Sequence, residues 1–166
     1  HDAGGPAPVR PVVAAKAALA PAFVEQVKAR LAKAERPMLI LGGSGWTDAA
    51  TDAISGWAER LGLPVALSFR RKDLIRNDHP GYAGDLGLGP NPKLVARVKD
   101  ADLLLVIGAR MGENPTQGYT LLDRAKTAET LIHIHPGAEE LGRVWAPALS
   151  AASDNSLAAL ALSAID

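Results

Sequence analysis

The sequence contains no cysteine, few aromatic residues, no excess of charge of either sign and no long apolar run. The absence of cysteine excludes disulfide bonds, thiolate catalysis and zinc–sulfur sites, and it fits a cytoplasmic protein. Lysine plus arginine and aspartate plus glutamate both number 18, so no net charge attracts the chain to nucleic acid or to an anionic membrane. No apolar run approaches the roughly 18 residues that indicate a membrane span.

What is present indicates one soluble globular domain. The chain has 166 residues, of which 48% are hydrophobic and 22% charged, and this is enough to bury a core made of Ala, Val, Leu and Ile. Residues 1–20 are rich in Pro, Ala and Val and predict an interdomain linker, so the domain itself is expected over residues 21–166. Because the sequence has no initiator Met, we expect a fragment of a longer chain.

Strand-like and helix-like segments alternate after the linker. Apolar runs predict strands at 38–41, 64–67, 103–107, 130–135 and, as a short edge strand, 149–151. Helices are predicted from Pro21 to the residue before Pro37, from a cap at Thr47 or Asp48 to Leu61, over 92–99, within 112–126, over 139–145, and from Asp154 or Asn155 to Ile165. Residues 68–92 are predicted to be irregular, either a binding loop or a disordered segment. The alternation predicts a doubly wound parallel α/β sheet with 38–41 and 103–107 adjacent at its centre.

Two of the predicted strands end in glycine. The first leads into Gly42-Gly43-Ser44-Gly45, and the third into Gly108-Ala109-Arg110. Because ligands of parallel sheets bind beyond the carboxyl ends of the strands, these ends predict a shared crevice for a nucleotide or another phosphate-bearing ligand. The alternative is a tight strand-to-helix turn without a ligand. A standard NAD site is disfavoured, since Asp48 replaces the third glycine of GxGxxG and no acidic residue follows the second strand at Ser68.

Several charged and polar side chains are candidates for the crevice. Arg110 is the preferred partner for an anion, whereas Arg70, Arg71 and Lys72 either hold phosphates or form a solvated loop. His133 and His135 point to one side of their strand and form either a metal-binding pair or a polar strand end. Three acidic residues are further candidates, with helix capping or solvation as the alternative for each: Asp85, Glu113 and Asp154. No catalytic triad or carboxylate pair can be assembled from the spacing.

From Arg36 to Ile165 the chain resembles the central domain of thiamine-diphosphate-dependent enzymes of the acetolactate synthase (acetohydroxyacid synthase) type. The matching segments are RPMLILGGSGW, LGLPVALSFRRKDLIRNDHPGYAGDLGLG, DADLLLVIGARMGE, LIHIHPGAEELGRV and SAASDNSLAAL. The resemblance implies a six-stranded parallel sheet in three layers, Rossmann-like, between a pyrimidine-binding and a diphosphate-binding domain of the same chain. It also implies thiamine diphosphate and Mg²⁺ bound by those other domains, and a homo-oligomeric parent enzyme, dimer or tetramer.

The same resemblance implies a site for FAD or ADP in this domain. Carried over by position, the cofactor contacts fall on Gly42, Gly43, Ser44, Leu67, Ser68, Phe69, Leu86, Gly87, Gly108, Ala109, Arg110, His133, Ile134, Asp154 and Asn155. No residue here matches the catalytic glutamate or the Gly-Asp-Gly…Asn segment of the family, so the resemblance assigns no catalytic residue and no metal ligand to this domain. Where the family usually has Asp-Ile-Asp-Pro, this chain has His133-Ile134-His135-Pro136.

Three functions are compatible with these observations. The leading hypothesis is a non-catalytic central domain with a nucleotide-type crevice, whose parent enzyme forms or cleaves C–C bonds next to a 2-oxo acid. The alternatives are a free-standing nucleotide-binding oxidoreductase domain and a structural module that binds no ligand. The isolated chain is expected to show no thiamine-dependent turnover.

Overall fold

The structure, a computed structural model, describes residues 15–166. The predicted linker lies outside the described residues as far as residue 14, and residues 15–20 form neither helix nor strand. Helix α1 (Pro21–Leu31) follows and begins with proline at its first position, where the missing N–H is not needed. No helix within residues 15–166 is both long and apolar enough to traverse a bilayer.

All six strands of the sheet are parallel. They are β1 (Pro37–Leu41), β2 (Val65–Ser68), β3 (Tyr82–Leu86), β4 (Leu103–Ile107), β5 (Leu131–His135) and β6 (Leu149–Ala152). Their order across the sheet is β3-β2-β1-β4-β5-β6. The predicted adjacency of the first and fourth strands at the centre is confirmed, with paired positions running from Pro37 opposite Leu103 to Leu41 opposite Ile107.

Three of the remaining helices connect these strands and the fourth follows the last strand, and each is capped at its start by a side chain. They are α2 (Asp48–Arg60), α3 (Pro92–Asp100), α4 (Arg124–Thr130) and α5 (Asn155–Leu162), whose capping side chains belong to Thr47, Asn91, Asp123 and Asp154 respectively. Each capping oxygen accepts a hydrogen bond from a backbone N–H of the first turn that has no partner within the helix. The choice between Thr47 and Asp48 is thereby settled in favour of Thr47.

The sheet is covered on both faces, which is why its central strands are continuously apolar. Alternate residues such as Leu39 and Leu105 face one way and pack with Ile54 and Trp57 of α2 and with α5. The intervening residues, such as Ile40, face the other way and pack with α3 and Trp145. The result is the three-layer arrangement that the sequence predicted.

Four local predictions are corrected by the structure. Residues 68–92 are not wholly irregular, because they contain β3, an edge strand whose residues are mostly half-buried and which lacks the apolar run of a central strand. The helix predicted within 112–126 lies later, as α4. The helix predicted over 139–145 is a single 3₁₀ turn, Ala138–Glu140, followed by Gly142 at a φ of 74°. The last helix, predicted to run to Ile165, ends at Leu162 as α5.

Candidate functional site: the crevice at the centre of the sheet

A crevice of about 550 Å³ opens at the carboxyl ends of β1 and β4. This is the point at which the strand order reverses, since the chain fills the sheet outward from β1 in one direction and from β4 in the other. Open parallel sheets bind ligands at such a point. The residues lining it are Gly43, Ser44, Ser68, Phe69, Gly108, Ala109, Arg110, Gly112, Glu113, Asn114, Pro115, His135 and Pro136.

The glycines at the two strand ends pack against each other. A Cβ atom on Gly43 would overlap the carbonyl oxygen of Gly108, and a Cβ on Gly108 would overlap the carbonyl oxygen of Gly42. Gly43 and Gly108 also have positive φ values, 70° and 77°. The backbones of the two loops therefore touch at a distance that only glycine permits. These glycines shape the floor of the crevice through contact between protein segments.

The residues that begin α5 hold the turn formed by residues 42–45, which we call the glycine turn. The Nδ2 group of Asn155 donates to the carbonyl of Ser44 at 2.8 Å, and the Ser156 hydroxyl donates to the carbonyl of Gly45 at 2.9 Å. Asn155 is 1% exposed, and its Oδ1 has no partner among the described residues. Asn155 therefore contacts the turn from behind, outside the set of residues that line the crevice.

Arg110 brings the principal positive charge to the crevice. Its side chain is 73% exposed, and its Nε lies 3.5 Å from Oε1 of Glu140. The same oxygen is 3.2 Å from Arg143, and the side chain of Glu140 is only 9% exposed. Arg110 and Glu140 also border a second cavity of about 210 Å³, together with His133 and Trp145. A nearly buried carboxylate therefore shares the guanidinium that an anionic ligand would use.

The two histidines of β5 lie on one side of the strand, as predicted, with ring centroids 6.2 Å apart. His133 is 1% exposed, and its Nε2 lies 2.8 Å from the carbonyl oxygen of Ala109, so Nε2 carries a proton and donates it. Burial lowers the pKa of His133, because the charged imidazolium loses its hydration there. His135 borders the crevice, and its Nδ1 lies 3.0 Å from both the backbone N and the carbonyl O of Gly137.

The structure brings seven of the fifteen predicted contact residues to the crevice. They are Gly43, Ser44, Ser68, Phe69, Gly108, Ala109 and Arg110. The other eight lie elsewhere. Leu67, Leu86 and Ile134 are core residues, and Gly42 and Gly87 are buried beside the strand ends. His133 borders the smaller cavity, Asp154 caps α5, and Asn155 supports the glycine turn. A direct ligand contact remains a prediction for all fifteen.

The other charged candidates are engaged in local pairs. Arg71 pairs with Asp73, and Lys72 pairs with Asp85 at 3.0 Å, while Arg70 lies over the ring of Phe69. The hydrogen bond and charge of Asp85 raise the pKa of Lys72. Asp85 and the three basic residues are all absent from the crevice lining, whereas Glu113 is part of it. Within residues 15–166, no three metal-ligating side chains come together.

Sequence reasoning missed several residues of the site. Three further lining residues directly follow Glu113 or His135 in the chain: Asn114, Pro115 and Pro136. Their closeness in sequence to these two residues could have predicted their place in the crevice. Glu140 had no such signal. Its approach to Arg110 joins segments 30 residues apart and depends on the 3₁₀ turn Ala138–Glu140, which stands where the sequence predicted a helix.

Comparison with known proteins agrees with this geometry. Residues 24–162 match the family model for the thiamine pyrophosphate enzyme, central domain. The chain is 32% identical over 157 residues to acetolactate synthase isozyme 1 large subunit of Escherichia coli, which covers 91% of this chain and 27% of that protein.

Two further relatives extend the comparison. The sulfoacetaldehyde acetyltransferase of Alcaligenes xylosoxydans xylosoxydans is 32% identical over 114 residues, 69% of this chain and 19% of that protein. Acetolactate synthase isozyme 2 large subunit of Escherichia coli is 32% identical over 95 residues, 57% of this chain and 17% of that protein. The chain thus spans about a fifth to a quarter of the length of these relatives. By the family match and by the six-stranded parallel sheet, the chain belongs to the family of thiamine pyrophosphate enzyme central domains.

Proposed function

We propose that this chain is the non-catalytic central domain of a thiamine-diphosphate-dependent enzyme of the acetolactate synthase type. The parent enzyme would be a transferase or lyase that forms or cleaves a C–C bond next to a 2-oxo acid. The names of the relatives, a synthase and an acetyltransferase, support this class. Thiamine diphosphate and Mg²⁺ would be bound by the pyrimidine-binding and diphosphate-binding domains of the parent chain, which we expect to be a cytoplasmic dimer or tetramer.

We further propose that the crevice between the ends of β1 and β4 binds the diphosphate of an ADP- or FAD-like molecule. The observation that carries this proposal is the position of Arg110, an exposed side chain that lines the crevice at the switch in strand order together with Ser44 and Ser68. Arg110 would hold a phosphate, Ser44 and Ser68 would supply hydroxyl contacts, and Phe69 would offer an apolar face to a base. FAD in this position would contribute structure rather than electron transfer.

The size of the crevice favours ADP over FAD. Its volume of about 550 Å³ lies within the usual range of small-molecule sites, roughly 300–1,000 Å³. FAD adds a ribityl chain and a three-ring flavin to the adenosine diphosphate unit, so it would need space beyond the crevice. In the parent enzyme that space would lie against the neighbouring domains.

One observation favours the alternative of a structural module without a ligand. Gly43 and Gly108 are explained by contacts between the two loops, and Arg110 already has Glu140 as a partner. In that case the crevice would be a surface recess left by the packing of the two loops. The domain would then serve only as a scaffold for its neighbours.

Calorimetric titration of ADP and of FAD into the chain distinguishes these proposals. The nucleotide proposal expects binding that is weakened by salt, because a phosphate–arginine contact is screened. A flat titration with both ligands would favour the ligand-free scaffold.

A second assay tests the non-catalytic role. The chain is supplied with pyruvate, thiamine diphosphate and Mg²⁺, and we expect consumption of pyruvate no faster than in a blank without protein. Consumption above the blank would overturn the non-catalytic assignment.

A further inference from the structure

Four consecutive residues, 153–156, connect two separate parts of the molecule, and we call them the junction. On one side the junction holds the glycine turn, through the hydrogen bonds from Asn155 to Ser44 and from Ser156 to Gly45. The Ser156 hydroxyl also accepts a hydrogen bond from the backbone N–H of Thr47 at 2.9 Å. The turn and Thr47, the second residue after it, are therefore fixed by side chains that begin a different helix.

On its other side the junction holds residues 15–20, which we call the entry segment. The backbone N–H of Asp154 donates to the carbonyl of Ala17 at 2.8 Å, and the Ser153 hydroxyl donates to the same carbonyl at 3.1 Å. Lys16 pairs with the carboxylate of Asp154 at 3.0 Å. The entry segment is otherwise exposed except for Leu19, which packs into the core. Its attachment to the domain thus depends largely on the junction and on Leu19.

The junction is buried, which makes its hydrogen bonds consequential. Ser153, Asn155 and Ser156 are between 0% and 4% exposed, so a group that loses its partner there cannot turn to bulk water. Within residues 15–166, the Oδ1 atom of Asn155 is itself a buried polar atom without a hydrogen-bond partner. Burying a polar atom without a partner costs free energy, and an apolar residue at this position would avoid that cost. The specific contribution of the Asn155 amide is therefore its bond to Ser44.

We propose that Asn155 and Ser156 are positioning residues for the crevice, and that the entry segment influences the crevice through the junction. Ser44 and Gly43 line the crevice, so any movement of the glycine turn changes its shape. Loosening of the entry segment should reach the turn because Asp154 and Asn155 are neighbours in the chain. The expected effect on ligand affinity rests on the proposed nucleotide function, whereas the expected effect on the turn does not.

Trp46 provides a built-in reporter of the turn. Its indole N–H donates to the carbonyl of Gly42 at 2.8 Å, closing the turn on itself. Trp57 and Trp145 serve as internal references, because their indole N–H groups bond to Ile165 and Met111, away from the turn. Hydrogen exchange of the three indole groups, followed by NMR, therefore separates a local change in the turn from a general loosening.

The test compares Asn155→Ala with Asn91→Ala, which removes an asparagine that caps α3 and does not touch the turn. We expect exchange at the Trp46 indole and the Thr47 amide to become about tenfold faster in Asn155→Ala, the size expected for one buried hydrogen bond. Asn91→Ala should leave both sites unchanged. Equal acceleration at all three indoles, or no change at Trp46 and Thr47, would overturn the proposal.

Two milder variants keep the test decisive if Asn155→Ala fails to fold. Ser156→Ala removes only a hydroxyl and should accelerate the same two sites. Lys16→Met combined with Ser153→Ala loosens only the entry segment, and a roughly two- to threefold acceleration at Trp46 is expected, since surface ion pairs and single hydroxyl bonds are worth little. No response at Trp46 to this double variant would refute the link to the entry segment.

Titration with ADP measures the effect of the junction on ligand affinity. We expect weaker binding to Asn155→Ala than to Asn91→Ala. If the unaltered chain binds no ADP, the nucleotide function fails, while the exchange measurements still decide the role of the junction.

Discussion

The two glycine-ended strands at the centre of the sheet lead into segments of opposite character. The turn after β1 is closed on itself, since Trp46 bonds to Gly42 within it and Asn155 and Ser156 bond to it from behind. The segment after β4 instead presents Arg110, Glu113 and Asn114 to solvent. One strand end thus supplies shape to the crevice, and the other supplies functional groups.

Glycine serves two different structural purposes at these strand ends. At Gly43 and Gly108 the missing side chain allows two protein backbones to touch. At Gly45, which also has a positive φ, nothing lies within 4 Å of the position a Cβ would occupy. The same residue type therefore marks a packing contact in one place and an open turn two residues later. Gly43 and Gly108, the glycines of the packing contact, line the crevice, whereas Gly45 does not.

The comparison is tested most strongly by Gly43→Ala against Gly45→Ala. Both substitutions place alanine at a positive φ, which costs about 1–2 kcal/mol. Only the first adds a clash with the backbone of Gly108, so we expect Gly43→Ala to lower the free energy of unfolding by about 2–4 kcal/mol in total. Chemical denaturation of the two variants measures the difference. Equal losses for both would show that the packing contact is unimportant.

The sequence predicted the central strands well because their burial leaves a direct trace. Residues 103–107 are all apolar, and all five are buried in β4. The edge strand β3 leaves no such trace, since Tyr82, Gly84 and Asp85 are half-exposed and form no apolar run. A sixth strand came only from the family resemblance. Strand prediction from sequence therefore failed at one edge of the sheet, β3, whereas the other edge strand, β6, was predicted at 149–151.

The candidate site could be predicted only in part, for a different physical reason. Strand ends that share one edge of the sheet follow from topology, and they gave Ser68 and Arg110 correctly as crevice residues. Pairings across the fold do not follow from topology. The contact between Arg110 and Glu140 and the bond from Asn155 to Ser44 depend on the conformations of loops that are distant in the sequence.

Arg110→Ala tests the open segment after β4. If Arg110 holds a phosphate, ADP binding should weaken by about 1.5–3 kcal/mol, the range for hydrogen bonds to charged groups. The stability of the free protein should barely change, because the side chain is largely exposed. Arg76→Ala is the matched control, since Arg76 is also exposed and paired, with Asp78, but lies outside the crevice lining. Calorimetry showing equal affinities for both variants would remove Arg110 from the site.

The smallest effect is expected from His133 on β5, whose ring bonds to Ala109 in the segment after β4. Burial lowers the pKa of His133 in the folded protein, whereas in the unfolded chain it should be near 6.5. As the pH falls through that value, the unfolded chain takes up a proton that the folded protein refuses, so stability decreases. The contribution of His133 to this loss is at most about 0.7 kcal/mol between pH 7 and pH 6.

His133→Gln isolates this contribution, because glutamine offers an N–H that can replace the bond to Ala109 but does not titrate. Urea denaturation of both proteins at several pH values between 5 and 8 measures it. We expect the two stability curves to diverge below pH 7, with the variant losing less. Parallel curves would mean that His133 takes up a proton as readily in the folded protein as in the unfolded chain. In that case its ring would have access to water through the small cavity beside Arg110, and the segment after β4 would be open on both of its sides.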